Sequence, residues 1–323
     1  MQISRDFTDQ IRKAWHEFID QTDSARPELY RYCRGLTGTV WDAEDLVQET
    51  LVRTFVRFAE IHDPIENPRA YLFRVASNLW IDRFRGMREA QSAVVPETEA
   101  PPDAPLPREL RDAASHLVSS LPPQERAAVL LKDVFDLTLE ETALALETST
   151  GAVKAALHRA RKRLSQTRTG PDSKAAVTGG PSAMLLDRFV ERFNARDLNG
   201  MVALMLEDAT VEIVGLSLEH GKEVIGRKGG SLYHTLFIDA DDLRQAERRE
   251  LMGEQIVLLF YHNDGKDRVG DVLRFQERDG RIAGFSYYYF CPETLAEVAQ
   301  EFGLAARSNG YRYMETPAVA VGQ

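Results

Sequence analysis

The chain has 323 residues, 40 Lys+Arg against 50 Asp+Glu, a formal net charge of −10 and a hydrophobic fraction of 43%. That is the composition of a globular protein long enough for two or three domains, and its acidity excludes indiscriminate coating of nucleic acid by the chain as a whole. No apolar run approaches the roughly 18 residues of a membrane span, the start "MQISRDFTDQIRKAW" is too charged for a signal peptide, and two distant cysteines, Cys33 and Cys291, read as reduced thiols of a cytoplasmic protein.

Residues 1–88 read as helical. In "DAEDLVQETLVRTFVRF", Asp42 is placed to cap a helix and Asp45 lies in its first turn. Val47, Leu51, Thr54 and Phe58 follow at helical spacing. In "NPRAYLFRVASNLWIDRFRG", Pro68 suits a first helical position and Gly86 a stop. Leu72, Val75, Ala76 and Leu79 make its apolar stripe. Residues 89–107 hold five prolines and no aromatic residue, which marks a linker.

Residues 108–166 contain "LTLEETALALETSTGAVKAALHRARKRL". Thr138 and Glu141 stand at capping-box spacing, and a short helix to about Leu146 follows. "ETSTG" then breaks the pattern within the length of a helix-turn-helix turn. In the next helix Val153, Ala156, Leu157, Ala160 and Leu164 recur on one buried face. Lys154, His158 and Arg161 fall on another, joined by Arg159, Lys162 and Arg163, and no acidic residue occurs between Thr148 and Thr169. Such a helix fits a major groove, its N-terminal side chains at base edges. The small residues Ser149, Thr150 and Gly151 allow backbone amides near a phosphate.

After a second linker, residues 167–182, the pattern changes. Two helical stretches, "MLLDRFVERFNA" and "DLNGMVALML", precede four strand-like runs: "ATVEIVG", "EQIVLLFYH", "DRVGDVLRF" and "RIAGFSYYYF". Asp279-Gly280 is a hairpin signal between the last two. A helix, "PETLAEVAQEFGL", and an aperiodic tail close residues 291–323. This is an α+β pattern with an antiparallel sheet. Arg312, Tyr311 and Tyr313 of the tail suit an anchor on another domain.

Taken together, residues 8–166 resemble an extracytoplasmic-function sigma factor, the promoter-recognition subunit of bacterial RNA polymerase. "DAEDLVQETLVRTFVRF" is similar to the helix that docks on core polymerase, "NPRAYLFRVASNLWIDRFRG" to the helix that melts and reads the minus-ten element, and the helix-turn-helix to the reader of the minus-thirty-five element. The resemblance implies two all-α sigma domains with core RNA polymerase and promoter DNA as partners. It assigns Asp42, Asp45, Gln48 and Glu49 to polymerase docking. It assigns Arg69, Tyr71, Arg74, Asn78, Trp80 and Arg83 to the minus-ten element, and Ser149, Thr150, Lys154, His158, Arg159, Arg161 and Lys162 to the minus-thirty-five element. The residue types fit: a helix that opens DNA needs aromatic stacking surfaces beside cations. The sequence holds no nucleotide-binding glycine loop and no metal-ligand cluster, so no cofactor is expected and the catalytic chemistry belongs to the partner.

"LLDRFVERFNARDLNGMVALMLEDATVEIVG" resembles the opening of SnoaL-like domains, which share the cone-shaped α+β fold of ketosteroid isomerases. For residues 183–290 this implies a built-in regulator in contact with the sigma domains, with a pocket able to take a small ligand. The alternative is a SnoaL-like enzyme or ligand sensor fused to a DNA-binding regulator, with Asp271, His262 and His234 lining its pocket. Residues 171–323 hold 17 basic and 24 acidic residues, a net of −7; an acidic module near the basic helix disfavours premature DNA binding.

Overall fold

The computed structural model describes residues 5–60, 67–89, 121–166, 180–238, 243–263, 266–308 and 310. They form two compact units, residues 1–171 and 172–323. The linker 89–107 lies almost wholly outside the described residues, as do Tyr311, Arg312 and Tyr313 and the side chains of Arg85, Arg88 and His262.

The first unit begins with α1 (Arg5–Thr22), α2 (Arg26–Thr37), α3 (Val40–Glu60) and α4 (Pro68–Glu89). Tyr32, Leu36, Leu46, Leu51, Leu72 and Phe73 are fully enclosed between them. α2 ends on Gly38 at φ 88°, a left-handed turn that glycine adopts without steric cost. The cap of α3 is Thr39 rather than Asp42. Thr39 Oγ1 accepts from the Asp42 N–H at 3.1 Å and donates to Asp42 Oδ2 at 2.7 Å. The helix starts before Asp42 because Val40 and Trp41 are buried and need helical backbone to reach the core. α4 runs three residues past Gly86, since a helical glycine costs about 1 kcal/mol and does not by itself stop a helix. Inside this bundle Arg26 Nη2 meets Glu44 Oε1 at 2.6 Å with both side chains buried.

The unit continues with α5 (Pro123–Val129), widening into a π-type turn over Leu130–Val134, then α6 (Leu139–Ala145) and α7 (Thr150–Gln166). The capping box exists as the sequence indicates: Glu141 N donates to Thr138 Oγ1, and Thr138 N to Glu141 Oε2. Val153, Ala156, Leu157 and Ala160 of α7 are buried against Thr142, Ala143 and Leu146. The two helical groups read from the sequence as separate domains pack here as two lobes of one compact unit.

The second unit opens with α8 (Ala183–Asn194) and α9 (Leu198–Ala203). Its strands are β1 (Met205–Ile213), β2 (Ser217–His220), β3 (Leu243–Leu251), β4 (Glu254–Asn263), β5 (Lys266–Arg278) and β6 (Arg281–Tyr287). Short helices α10 (Lys222–Gly226) and α11 (Ser231–Tyr233) lie between β2 and β3. α12 (Pro292–Glu301) and the two-residue β7 (Ala305–Ala306) follow. The strand order is β2-β1-β6-β5-β4-β3, an open path with β7 beside β5.

The α+β character expected from the sequence is present, with a mixed rather than wholly antiparallel sheet. β3 to β6 form an antiparallel meander whose last strand returns parallel to β1. Asp279-Gly280 turns β5 into β6 with φ of 55° and 70°, the left-handed pair a tight hairpin needs. The stretch expected to stay helical to Leu206 becomes strand at Met205, which is wholly buried. β3, "LRQAERREL", carries no apolar alternation. It is a sheet edge, and its charges keep that edge from pairing with other chains.

One face of the sheet and α8 to α11 enclose a core of Phe189, Phe193, Met201, Leu259, Leu273, Phe275, Phe285 and Tyr287. Its rings interlock, with centroids 4.8 Å apart for Phe189–Phe275, 5.0 Å for Phe275–Phe285 and 5.2 Å for Phe285–Tyr287. On the other pleat Ile256, Leu258 and Val272 are buried too, and α12 packs beside β5.

Candidate nucleic-acid interface

α7 sorts its cations into two sets. Lys154 and Lys162 are exposed and His158 is half-buried. Ser149 closes the helix start, its Oγ accepting from the Ala152 N–H at 3.2 Å, and Thr150 begins the helix. The arginines are engaged by carboxylates of α5 and of the π-type turn that follows it. Arg159 Nε lies 3.0 Å from Glu125 Oε1 and Arg163 Nε 3.1 Å from Glu125 Oε2. Arg161 Nη2 lies 2.9 Å from Asp133 Oδ1, with 17% of its side chain exposed. Burial pulls the Arg161 guanidinium below its usual range, but an arginine stays charged at any physiological pH. Glu125 and Asp133 therefore decide which cations face outward. Neither carboxylate stands out in the sequence, because each lies 28 or more residues before the arginines it engages and no local spacing joins them.

On α3, Asp42 and Asp45 are exposed and Gln48 and Glu49 half-buried. Gln48 Nε2 donates to Glu44 Oε1 at 2.7 Å, which orients its amide. Glu49 accepts from Arg53 at 3.0 Å and from Arg83 of α4 at 2.6 Å. The docking candidates thus share one helix, and one of them touches a minus-ten candidate.

α4 places its candidates differently. The Arg74 guanidinium sits 4.7 Å from the centre of the half-buried Tyr71 ring, a cation–π contact. Arg69 pairs with Glu28 and donates from Nη2 to the Phe135 carbonyl at 3.3 Å. Trp80 is 7% exposed, packed on Phe84 at 4.6 Å with the Arg126 guanidinium 5.6 Å from its ring. Asn78 opens onto a polar cleft of about 280 Å³ shared with Ile81, Asp82, Gln124, Leu146 and Glu147. The stacking candidate is therefore covered by the neighbouring lobe. Arg126, which lies against its ring, was not singled out by the sequence, since no local spacing joins it to Trp80.

In the second unit Asp271 is buried, and its Oδ1 accepts from the backbone N–H of Val272 at 2.7 Å and of Tyr288 at 2.9 Å. Its carboxylate fastens the end of β6. His234 is half-buried in the wide turn after α11. Among the described residues no cluster of His, Cys, Asp or Glu is arranged to hold a metal, and no described helix is long and apolar enough to cross a membrane.

A capped helix, a tight turn and a second helix with outward cations define a helix-turn-helix protein of the nucleic-acid-binding class. The family is narrower than that. Models of sigma-70 region 2 and region 4 match residues 23–89 and 111–164. The RNA polymerase sigma-E factor of Streptomyces coelicolor is 34% identical over 161 residues, 49% of this chain and 90% of that protein. The chain belongs to the extracytoplasmic-function RNA polymerase sigma factors. The sigma factor SigG of Mycobacterium tuberculosis is 30% identical over 227 residues, and the chain spans 61% of its length. Among solved structures, the sigma factor SigJ of Mycobacterium tuberculosis aligns over 83% of this chain and 95% of its own, at 22% identity and a TM-score of 0.30.

Proposed function

We propose that this protein binds core RNA polymerase and directs promoter-specific initiation, and that it is not itself an enzyme. The observation that carries this reading is the pairing, in one chain, of an acidic and amide-bearing face on α3 with the outward cations of a capped helix-turn-helix. Asp42, Asp45, Gln48 and Glu49 take the polymerase. Arg69, Tyr71, Arg74, Asn78, Trp80 and Arg83 serve the minus-ten element. In the minus-thirty-five element Lys154 and His158 reach base edges, and Ser149, Thr150 and Lys162 serve phosphates. Arg159 and Arg161 join them only by leaving Glu125 and Asp133. The protein acts in the cytoplasm, where polymerase and promoters are.

We further propose that the second unit is the regulator, its net charge of −7 disfavouring DNA binding by the neighbouring unit. A small ligand in it is one route of regulation. The rival reading makes that unit a SnoaL-like enzyme or sensor with Asp271 as its base. The bonds Asp271 accepts from two backbone amides favour a structural carboxylate instead.

Run-off transcription with purified core polymerase on genomic promoter fragments tests the main reading. We expect polymerase-dependent transcripts that vanish when Asp45 and Glu49 are replaced by Ala; the absence of any such transcript overturns it. Truncation after residue 171 tests regulation, and unchanged promoter binding and transcription would count against an inhibitory role. Turnover of a small ketone that Asp271→Asn abolishes would favour the rival.

A further inference from the structure

We infer that Glu125 of α5 is a charge brake on duplex binding: one buried carboxylate holds Arg159 and Arg163 of α7 off the phosphate backbone, so that the free chain grips DNA without them. This rests on the reading of α7 as the DNA-facing helix given above.

The geometry is that of one acid shared by two bases. The Glu125 side chain is 7% exposed, and each of its oxygens faces a different arginine. Arg159 donates from Nε to Oε1 at 3.0 Å, and Arg163 Nε stands 3.1 Å from Oε2. The two arginines are four residues apart, neighbours one turn apart on the same face of α7. Their side chains are 41% and 57% exposed, so the acid is enclosed while both bases stand at the surface, within reach of a docked duplex. Glu125 lies in the first turn of α5, where the peptide dipoles favour its ionised form. The neighbouring Arg161–Asp133 pair differs, since both of its side chains are largely enclosed and belong to the packing.

A buried carboxylate left without a counter-charge is strongly unfavourable. A duplex that recruits Arg159 and Arg163 together strands Glu125. A duplex that recruits Lys154 disturbs nothing, because Lys154 is exposed and has no carboxylate partner among the described residues. α7 carries five Lys and Arg residues, and Glu125 and Asp133 engage three of them. The helix is therefore much less basic towards DNA than its sequence. Phosphate contacts strengthen binding to every sequence alike. Withholding two of them weakens the hold on non-promoter DNA, which vastly outnumbers promoters, and leaves the base-reading side chains untouched.

Fluorescence anisotropy of a labelled random-sequence duplex, titrated with the full chain without polymerase between about 50 and 200 mM salt, measures the brake. Glu125→Gln keeps the shape and removes the charge. It should steepen the salt slope by up to about 1.8, roughly 0.9 for each freed arginine, so its affinity gain over wild type grows about tenfold from 200 to 50 mM salt. Arg163→Ala should leave the wild-type slope unchanged, yet return about half of the steepening when added to Glu125→Gln. Glu140→Gln removes a charge from the exposed surface of the same lobe and should give much less than Glu125→Gln. The inference is overturned by a Glu125→Gln slope equal to or shallower than wild type, the shallower case meaning that Glu125 aims the arginines at DNA. It is also overturned by an equal effect of Glu140→Gln, by no detectable duplex binding of Glu125→Gln at low salt, or by a slope that falls by about one in Arg163→Ala alone. If Glu125→Gln loses its helical circular dichroism, Arg163→Ala in the wild-type chain decides alone. Failure of the sigma-factor reading shows separately, as no transcript in run-off assays, while the salt slopes would be unaffected.

Discussion

α4 and α7 both carry cations at helical spacing, and the resemblance assigns both to DNA, yet the fold uses them differently. α7 keeps Lys154 and Lys162 in solvent and ties Arg159, Arg161 and Arg163 to Glu125 and Asp133. α4 holds Arg69 and Arg83 on Glu28 and Glu49 and buries Trp80 under another lobe. The difference teaches that the DNA affinity of a basic helix depends on how many of its cations the protein's own carboxylates already hold away from solvent. On the proposed reading α7 can face DNA with its exposed lysines, whereas the Trp80 of α4 is buried with Arg126 against its ring.

The largest expected effect concerns the inward face of α7. Leu157 is wholly buried, so Leu157→Ala should lower stability by about 2–5 kcal/mol in denaturant unfolding. A loss below about 1 kcal/mol would break the division of α7 into a packed face and a reading face. Arg161→Ala comes next. It removes one partner of Asp133 from a pair whose side chains are 17% and 11% exposed, and should cost about 2 kcal/mol, less than breaking a fully buried pair would. The salt dependence of promoter binding should be unchanged. A slope that falls as much for Arg161→Ala as for an exposed lysine would show that Arg161 reaches phosphate after all.

The cap of α6 sets the approach of α7. Thr138→Ala should cost about 1 kcal/mol in the same assay. The Thr138 backbone N–H holds the Glu141 carboxyl below its usual value of 4.5. A carboxylate whose folded value is depressed stabilises at pH above that usual value and loses the contribution as pH falls through the folded one. The gap between wild type and Glu141→Gln should therefore be full at neutral pH and shrink below about pH 4.5, and it stays small because Glu141 is exposed. A gap that widens in acid would refute the capping role. Smallest in stability is Lys154→Ala, expected within about 0.5 kcal/mol of wild type. It should lower the salt slope of promoter binding by about one. An unaltered slope would remove Lys154 from the interface and leave α7 no better a reader than α4.

Much of the fold is legible in the chain. The Thr138 and Glu141 spacing gives the capping box, the Val153–Leu157–Ala160 stripe gives the buried face of α7, and Asp279-Gly280 gives the hairpin. What failed is what depends on partners far along the chain. β3 lacks alternation because one neighbour and a solvent edge suffice for it, so "LRQAERREL" carries no strand period. Asp42 yields the cap to Thr39 because the burial of Val40 and Trp41, not the local cap preference, fixes where α3 begins. The site shows the same limit: residue types marked the cations of α7, but not that Glu125 and Asp133 engage three of them.

The sequence by itself determined the periodic and chemical features: three helical motifs in order, a capped helix-turn-helix with a basic face, and a separate α+β unit of net negative charge. These follow from local rules of spacing, capping and turn geometry that act within about ten residues. Only the tertiary structure decided which charges are spent on ion pairs, that the sheet closes its meander with a parallel partner for β1, and that the Arg126 guanidinium lies against the Trp80 ring. Each of those joins residues 28 or more positions apart, and burial, which sets the energy of such contacts, is a property of the packed chain and not of any stretch of it.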